Sequence, residues 1–205
     1  MSDPSSGALA GQLDATLLAC WQRLGIPERL LTERNLTVFE EPASLELAET
    51  GSDGRKHFLE RQAATAWSRM KRAALNDSVD IHIVSAFRSI ERQIEILESK
   101  LNAGHNLDSI LAVSAPPGCS EHHSGQAIDI GTRNCTPLEA EFERTAAFRW
   151  LETHGSQHGF RLSYPPGNAQ GYEYEPWHWC YVAGWPYAGR LRKWTGERAR
   201  DRLSQ

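Results

Sequence analysis

At 205 residues the chain is long enough for one sizeable hydrophobic core, and a second full domain would leave each half small, so a single domain is expected. Its 40% apolar and 23% charged residues are ordinary for a soluble globular protein, and no apolar run approaches the roughly 18 residues of a membrane span. The formal charge of −4 excludes the basic face of a nucleic-acid binder, because the one basic cluster, residues 190–202, is interleaved with Glu197 and Asp201 as on a solvated helix.

Residues 1–22 contain no Lys or Arg, and the apolar run Ala15 to Cys20 is too short and too close to Asp14 for a secretory core. Leu17-Leu18-Ala19-Cys20 resembles a lipoprotein cleavage box without the basic start such leaders need. An amphipathic first helix and a cytoplasmic protein are therefore expected. Cys20, Cys119, Cys135 and Cys180 form no Cys-x-x-Cys pair, so free thiols are expected, with a Cys119–Cys135 bridge open only in an oxidising compartment.

Further along, Leu59, Ala63, Ala66, Trp67, Met70, Ala73 and Ala74 recur at spacings of three and four, predicting a helix over 57–75 with one buried stripe. Residues 79–84 alternate and are β-branched, predicting a strand. Ser85-Ala86-Phe87-Arg88-Ser89 follows, then Ile90, Ile94, Leu97 and Leu101 mark the buried face of a helix, so Arg88 sits at a strand-to-helix turn. The strand 126–130 puts Ile128 and Ile130 on one face and Ala127 and Asp129 on the other. Thr136-Pro137-Leu138-Glu139 reads as a capping box opening a helix that reaches about Gln157. Strands are expected at 159–164 and 177–182. Strands joined by irregularly placed helices and loops predict an α+β fold, a small mainly antiparallel sheet flanked by helices.

Chemistry concentrates in Glu121-His122-His123 before the Asp129 strand and in Glu173-Tyr174-Glu175-Pro176-Trp177-His178 before the last one. Two imidazoles, one carboxylate and an open position make a recurrent catalytic zinc shell. The same cluster also reads as surface histidines beside solvated acids. Seven residues separate His122 from Asp129, an odd step that would turn them apart on one strand, so His122 belongs to the preceding loop, where Gly125 lets the chain curl back.

Ser120-x-His122-x-x-Gly125-x-Ala127-x-Asp129, followed by Glu175-x-Trp177-His178-x-x-Tyr181 and preceded by Ser85-Ala86-Phe87-Arg88-Ser89-x-x-x-Gln93, resembles the VanY-type D-alanyl-D-alanine carboxypeptidases. That family shares its fold with lysostaphin-type peptidases and the hedgehog signalling domain. The resemblance covers about residues 55–185, leaving 1–54 as an N-terminal helical extension and 186–205 as a tail. It implies one zinc ion held by His122, Asp129 and His178, with Glu175 as general base and Arg88 stabilising the developing oxyanion. Ser120 and Gln93 match positions that contact substrate, with capping or structural roles as the alternative, and Tyr181 is a further candidate contact. Glu173 is the rival base. Cys180 departs from the basic residue often found there.

The implied reaction is removal of a terminal D-alanine from peptidoglycan stem peptides. An intracellular enzyme would take the recycled tetrapeptide (LD-carboxypeptidase) in preference to the precursor pentapeptide (DD-carboxypeptidase). A lysin-type endopeptidase and a catalytically silent zinc-binding module are the alternatives.

Overall fold

The computed structural model describes residues 13–182; the basic cluster at 190–202 and the proposed tail lie outside the described residues. The first elements are α1 (Ala15–Leu24) and α2 (Leu30–Glu33). Asp14 caps α1 by accepting from the Leu17 N–H, and Gly25 ends it at a φ of 73°. Its face of Leu17, Cys20, Trp21 and Leu24 is buried, as an amphipathic helix requires.

A hairpin that the sequence reading did not anticipate follows, β1 (Glu46–Thr50) and β2 (Lys56–Leu59), with the turn in the Gly51–Gly54 region. It crosses the expected boundary at residue 54. It also shortens the helix predicted over 57–75 to α3 (Arg61–Asn76), because residues 56–59 are extended and Glu60 caps the helix by accepting from the Gln62 and Ala63 N–H groups. β3 (His82–Ser85) and α4 (Ile90–Asn102) come next, with Ser89 capping α4 through the Arg92 N–H, then α5 (Leu107–Val113) and a 3-10 turn at Glu121–Ser124.

After β4 (Ala127–Gly131) the expected helix from Thr136 is not found. Leu138 has a φ of 61°, incompatible with helix, and only a 3-10 turn spans Ala140–Arg144. α6 (Ala146–His154) starts where Thr145 Oγ1 accepts the Phe148 N–H at 3.1 Å. The helix end of the prediction was sound; its cap was nine residues too early, the distance from Thr136 to Thr145. β5 (Phe160–Leu162) and β6 (His178–Tyr181) complete the chain of elements.

The main sheet has the order β3-β4-β6-β5, antiparallel throughout, which makes the fold α+β as expected. β4 is central and buried along its whole length. Ile128, Ile130 and Trp179 face a core built with Trp67, Met70, Phe148 and Leu151 from α3 and α6. A second cluster joins Trp21, Leu24, Leu97, Ile110 and Leu111 from α1, α4 and α5 to Tyr164 and Tyr172. The chemistry-bearing face of the sheet, Ala127, Asp129, His178 and Cys180, lies opposite the first core. All four cysteines are free.

Candidate active site

In the β4–β6 ladder Asp129 pairs directly with His178, and in the β3–β4 ladder it pairs with Ser85, so one row across the sheet carries both candidate ligands and the strand that leads to Arg88. His122 arrives from the 3-10 turn. Gly125 closes that turn at a φ of 68°, and a Cβ there would sit 3.0 Å from the Glu60 nitrogen and 3.1 Å from Leu45 Cδ2. The turn is bolted to the Arg88 segment: the Arg88 N–H donates to the His122 carbonyl (3.2 Å), and His123 Nδ1 donates to the Arg88 carbonyl (2.6 Å). Burial pushes His123 down to about 4, so it stays neutral, and its Nε2 accepts the Gly118 N–H. His123 is a structural latch.

His122, Asp129 and His178 are all buried, with ligand atoms within 4.8 Å of one another. His122 Nδ1 lies 2.7 Å from the Ala86 carbonyl, an atom that only accepts, so Nδ1 carries the proton and Nε2 presents a lone pair. That lone pair points at Asp129 Oδ2, 3.3 Å away. Burial lowers the His122 pKa and keeps the ring neutral, so the contact is two acceptors facing each other and not an ion pair. A cation between them resolves this. The donor set and its orientation therefore fit a zinc ion.

The second histidine is oriented by a residue that the sequence reading passed over. Glu121 Oε2 lies 3.0 Å from His178 Nε2, leaving Nδ1 turned inward, 3.1 Å from Asp129 Oδ1 and 3.7 Å from Glu175 Oε2. Glu121 is itself held by Ser163 Oγ and by Arg161, and despite burial its hydrogen bond with His178 brings it down to about 2. Burial alone would lower the pKa of His178, but hydrogen bonds with Asp129 and Glu121 carry it up to about 10. Only its place beside His122 in Glu121-His122-His123 hinted at Glu121; its partners lie 42 and 57 residues away.

These groups open into a cleft of about 460 Å³ lined by Arg88, Ser120, His122, Asp129, Glu175, Trp177 and His178 among others. Burial, with Asp129 and Glu121 nearby, raises Glu175 to about 7 against the opposing charges of His178 and Arg88. Glu173 also lines the cleft but is exposed, and Glu175, half-buried, is the acid beside His178. Ser120 lines the cleft, and its side chain makes no cap hydrogen bond. Two expected substrate contacts do not reach the cleft. Gln93 is fully buried and spans the Arg88 guanidinium (3.0 Å) and the Ala115 carbonyl (2.7 Å), which makes it the brace of Arg88. Tyr181 has the strand parity of Trp179, opposite to His178, and packs on Phe160 in the core. Cys180 shares the His178 face but is fully buried, paired with Ala127 two residues along the strand.

The model of the family "VanY: D-alanyl-D-alanine carboxypeptidase" matches residues 56–184. YodJ of Bacillus subtilis is 35% identical over 131 residues, 62% of this chain and 48% of that protein, so the chain spans about half the length of this relative. Among solved structures, the LdcB LD-carboxypeptidase superposes with a TM-score of 0.63 at 31% identity over 69% of each chain. The D,D-pentapeptidase VanY of the VanB-type resistance cassette, solved in complex with Zn(II), gives 0.54 at 29% identity over 70% of this chain and 83% of that one. With Arg88, His122, Asp129, Glu175 and His178 from the three motifs lining one cleft and the family model matched across residues 56–184, the chain belongs to the VanY family of D-alanyl-D-alanine carboxypeptidases.

Proposed function

We propose that the chain is a zinc-dependent carboxypeptidase that removes the C-terminal D-alanine from peptidoglycan stem peptides. The observation that carries this reading is the His122 lone pair aimed at the Asp129 carboxylate, beside a half-buried Glu175 and in a cleft of about 460 Å³. His122 Nε2, Asp129 and His178 Nδ1 would hold the ion. When bound, zinc supplies Lewis acidity toward the scissile carbonyl and the attacking water.

Glu175, poised near neutrality by burial, takes a proton from the attacking water and returns it to the departing amine of D-alanine. Arg88, braced by Gln93 and by Ser85 Oγ at 3.4 Å, offers a cation already in place for the oxygen that becomes negative. Ser120 provides a hydrogen-bonding hydroxyl along the peptide. These roles make a silent zinc module the weaker reading, since a module of that kind needs neither the base nor the braced arginine.

Between the two stem peptides we favour the tetrapeptide, on the higher similarity to the LdcB LD-carboxypeptidase. The test is to incubate zinc-loaded protein with synthetic tetrapeptide and pentapeptide and to follow D-alanine release by mass spectrometry. Release from the tetrapeptide at the higher kcat/KM is expected. Release from neither peptide, with zinc bound, would overturn the reading, and cleavage within a cross-linked peptide would replace it with the endopeptidase.

A further inference from the structure

Beyond the residues already given a role, the cleft holds a second cation. Lys100 lies on the stripe of α4 that also carries Gln93 and Ile96, residues spaced by three and four along the helix. Gln93 braces Arg88 at one end of this stripe, and Lys100 stands two turns further on, roughly 10 Å along the axis. Helical side chains lean toward the N-terminus, which aims the Lys100 amine back toward Arg88. Its hydrogen bond goes to Ser114 Oγ at 2.8 Å, leaving donors of the ammonium to spare. Among the described residues neither Lys100 nor Arg88 forms an ion pair with a carboxylate.

Two half-buried cations without acidic partners on one wall of a cleft are costly unless an anion joins them. Burial and the nearby Arg88 charge both disfavour the Lys100 ammonium, and Glu175 offsets this only in part. The lining here is apolar: Val113 and Ala115 flank Ser114, which holds the amine, and Ile96 lies one turn before Lys100 on α4. A carboxylate attached to a carbon bearing one methyl group is the chemistry that fits such a place.

We infer that Lys100 is a specificity-determining residue that binds the terminal carboxylate of the leaving alanine, while Ile96, Val113 and Ala115 receive its methyl group. The inference rests on the carboxypeptidase reading and sharpens it. A peptide bond continued past this point would put a neutral amide against Lys100, so the residue selects for chain ends.

The test uses zinc-loaded full-length protein and a stem tetrapeptide made with a C-terminal carboxylate or a C-terminal amide. Binding is measured by calorimetry in a Glu175→Gln background, where the peptide stays intact, with and without Lys100→Met. The carboxylate form is expected to bind about tenfold tighter than the amide, and Lys100→Met to abolish most of that difference while leaving amide binding unchanged. In the Glu175 enzyme the same substitution is expected to raise KM about tenfold with kcat within about threefold, and Lys100→Arg to restore most of the loss. Unchanged amide binding shows that the Met variant is folded; should it not fold, Lys100→Gln, which can still donate to Ser114, takes its place. An undiminished preference for the carboxylate in the variant, or a loss of thermal stability with no change in KM, would overturn the inference and leave Lys100 as a cap on the C-terminus of α5. Absence of D-alanine release by the wild type would instead overturn the carboxypeptidase reading, whatever the binding preference.

Discussion

Asp129 has a separate partner for each oxygen, the neutral His122 on Oδ2 and the protonated His178 on Oδ1. The difference between the rings comes from what holds their outer nitrogens: a carbonyl, which accepts, behind His122, and a carboxylate, which attracts charge, behind His178. Glu121 is therefore expected to matter for metal affinity although it touches no substrate. Glu121→Ala should weaken zinc binding about tenfold to a hundredfold in chelator competition, and Glu121→Gln, which can still accept from Nε2, should lose less. Equal affinities in all three proteins would show that Glu121 only fills space. The raised pKa of His178 gives a second expectation. Up to about pH 10 the ion-free ring is protonated, so zinc must expel that proton, and affinity should rise with pH from 7 toward 9. Calorimetry in buffers of different ionisation enthalpy should report about one proton or more released per zinc at pH 7. The metal-free protein follows the same sign: stability contributed by protonated His178 is full below its ordinary value of 6.5 and is lost as pH rises through about 10. The resemblance of short motifs made His122, Asp129, Glu175 and His178 visible as candidates, which spacing alone left open, whereas Glu121, Lys100 and the bracing role of Gln93 depend on partners brought together only by folding.

At the level of elements, the site is built by one strand and what leans on it. β4 is buried from end to end, and its two neighbours deliver His178 by direct pairing and Arg88 by the turn after β3. The alternation of Ile128 and Ile130 against Ala127 and Asp129 was legible because a strand in a layered sheet has a strict period of two. The same period, applied from His178, shows why Tyr181 turns into the core. Helix starts were less legible, since a Ser/Thr-x-x-Glu pattern describes a cap without requiring a helix to follow it. Thr136 has that pattern, yet Leu138 adopts a left-handed backbone and Thr145 does the capping. Thr145→Ala is accordingly expected to cost about 1 kcal/mol, read from the urea midpoint, and Thr136→Ala close to nothing. The reverse ranking would restore the longer helix. The β1–β2 hairpin escaped the sequence reading for a related reason: Glu46–Thr50 is too polar to show a buried alternation, and the hairpin is tied down by the Trp67 indole N–H on Glu49 and by the ion pair of Lys71 with the same carboxylate.

For the whole molecule, one apolar cluster backs the sheet and a second joins α1, α4 and α5, while the opposite face of the sheet turns Asp129 and His178 toward the cleft. The cleft lining gathers both signs of charge: Arg88 and Lys100, the acids Glu139, Glu173 and Glu175, and the His122–Asp129–His178 group. The composition, ordinary in every fraction, gives no sign of this gathering, because it arises from which few residues the fold brings to one cleft. The central claim is that this group holds a zinc ion used to release D-alanine. It is tested most directly by measuring zinc content and D-alanine release on the same preparations of wild type and Asp129→Asn, each before and after chelation and zinc restoration. One zinc per chain in the wild type is predicted, with release lost on chelation and recovered with zinc, and loss of both bound zinc and release in the variant. Full release by metal-stripped wild type, or one tightly held zinc in Asp129→Asn with undiminished release, would contradict the account.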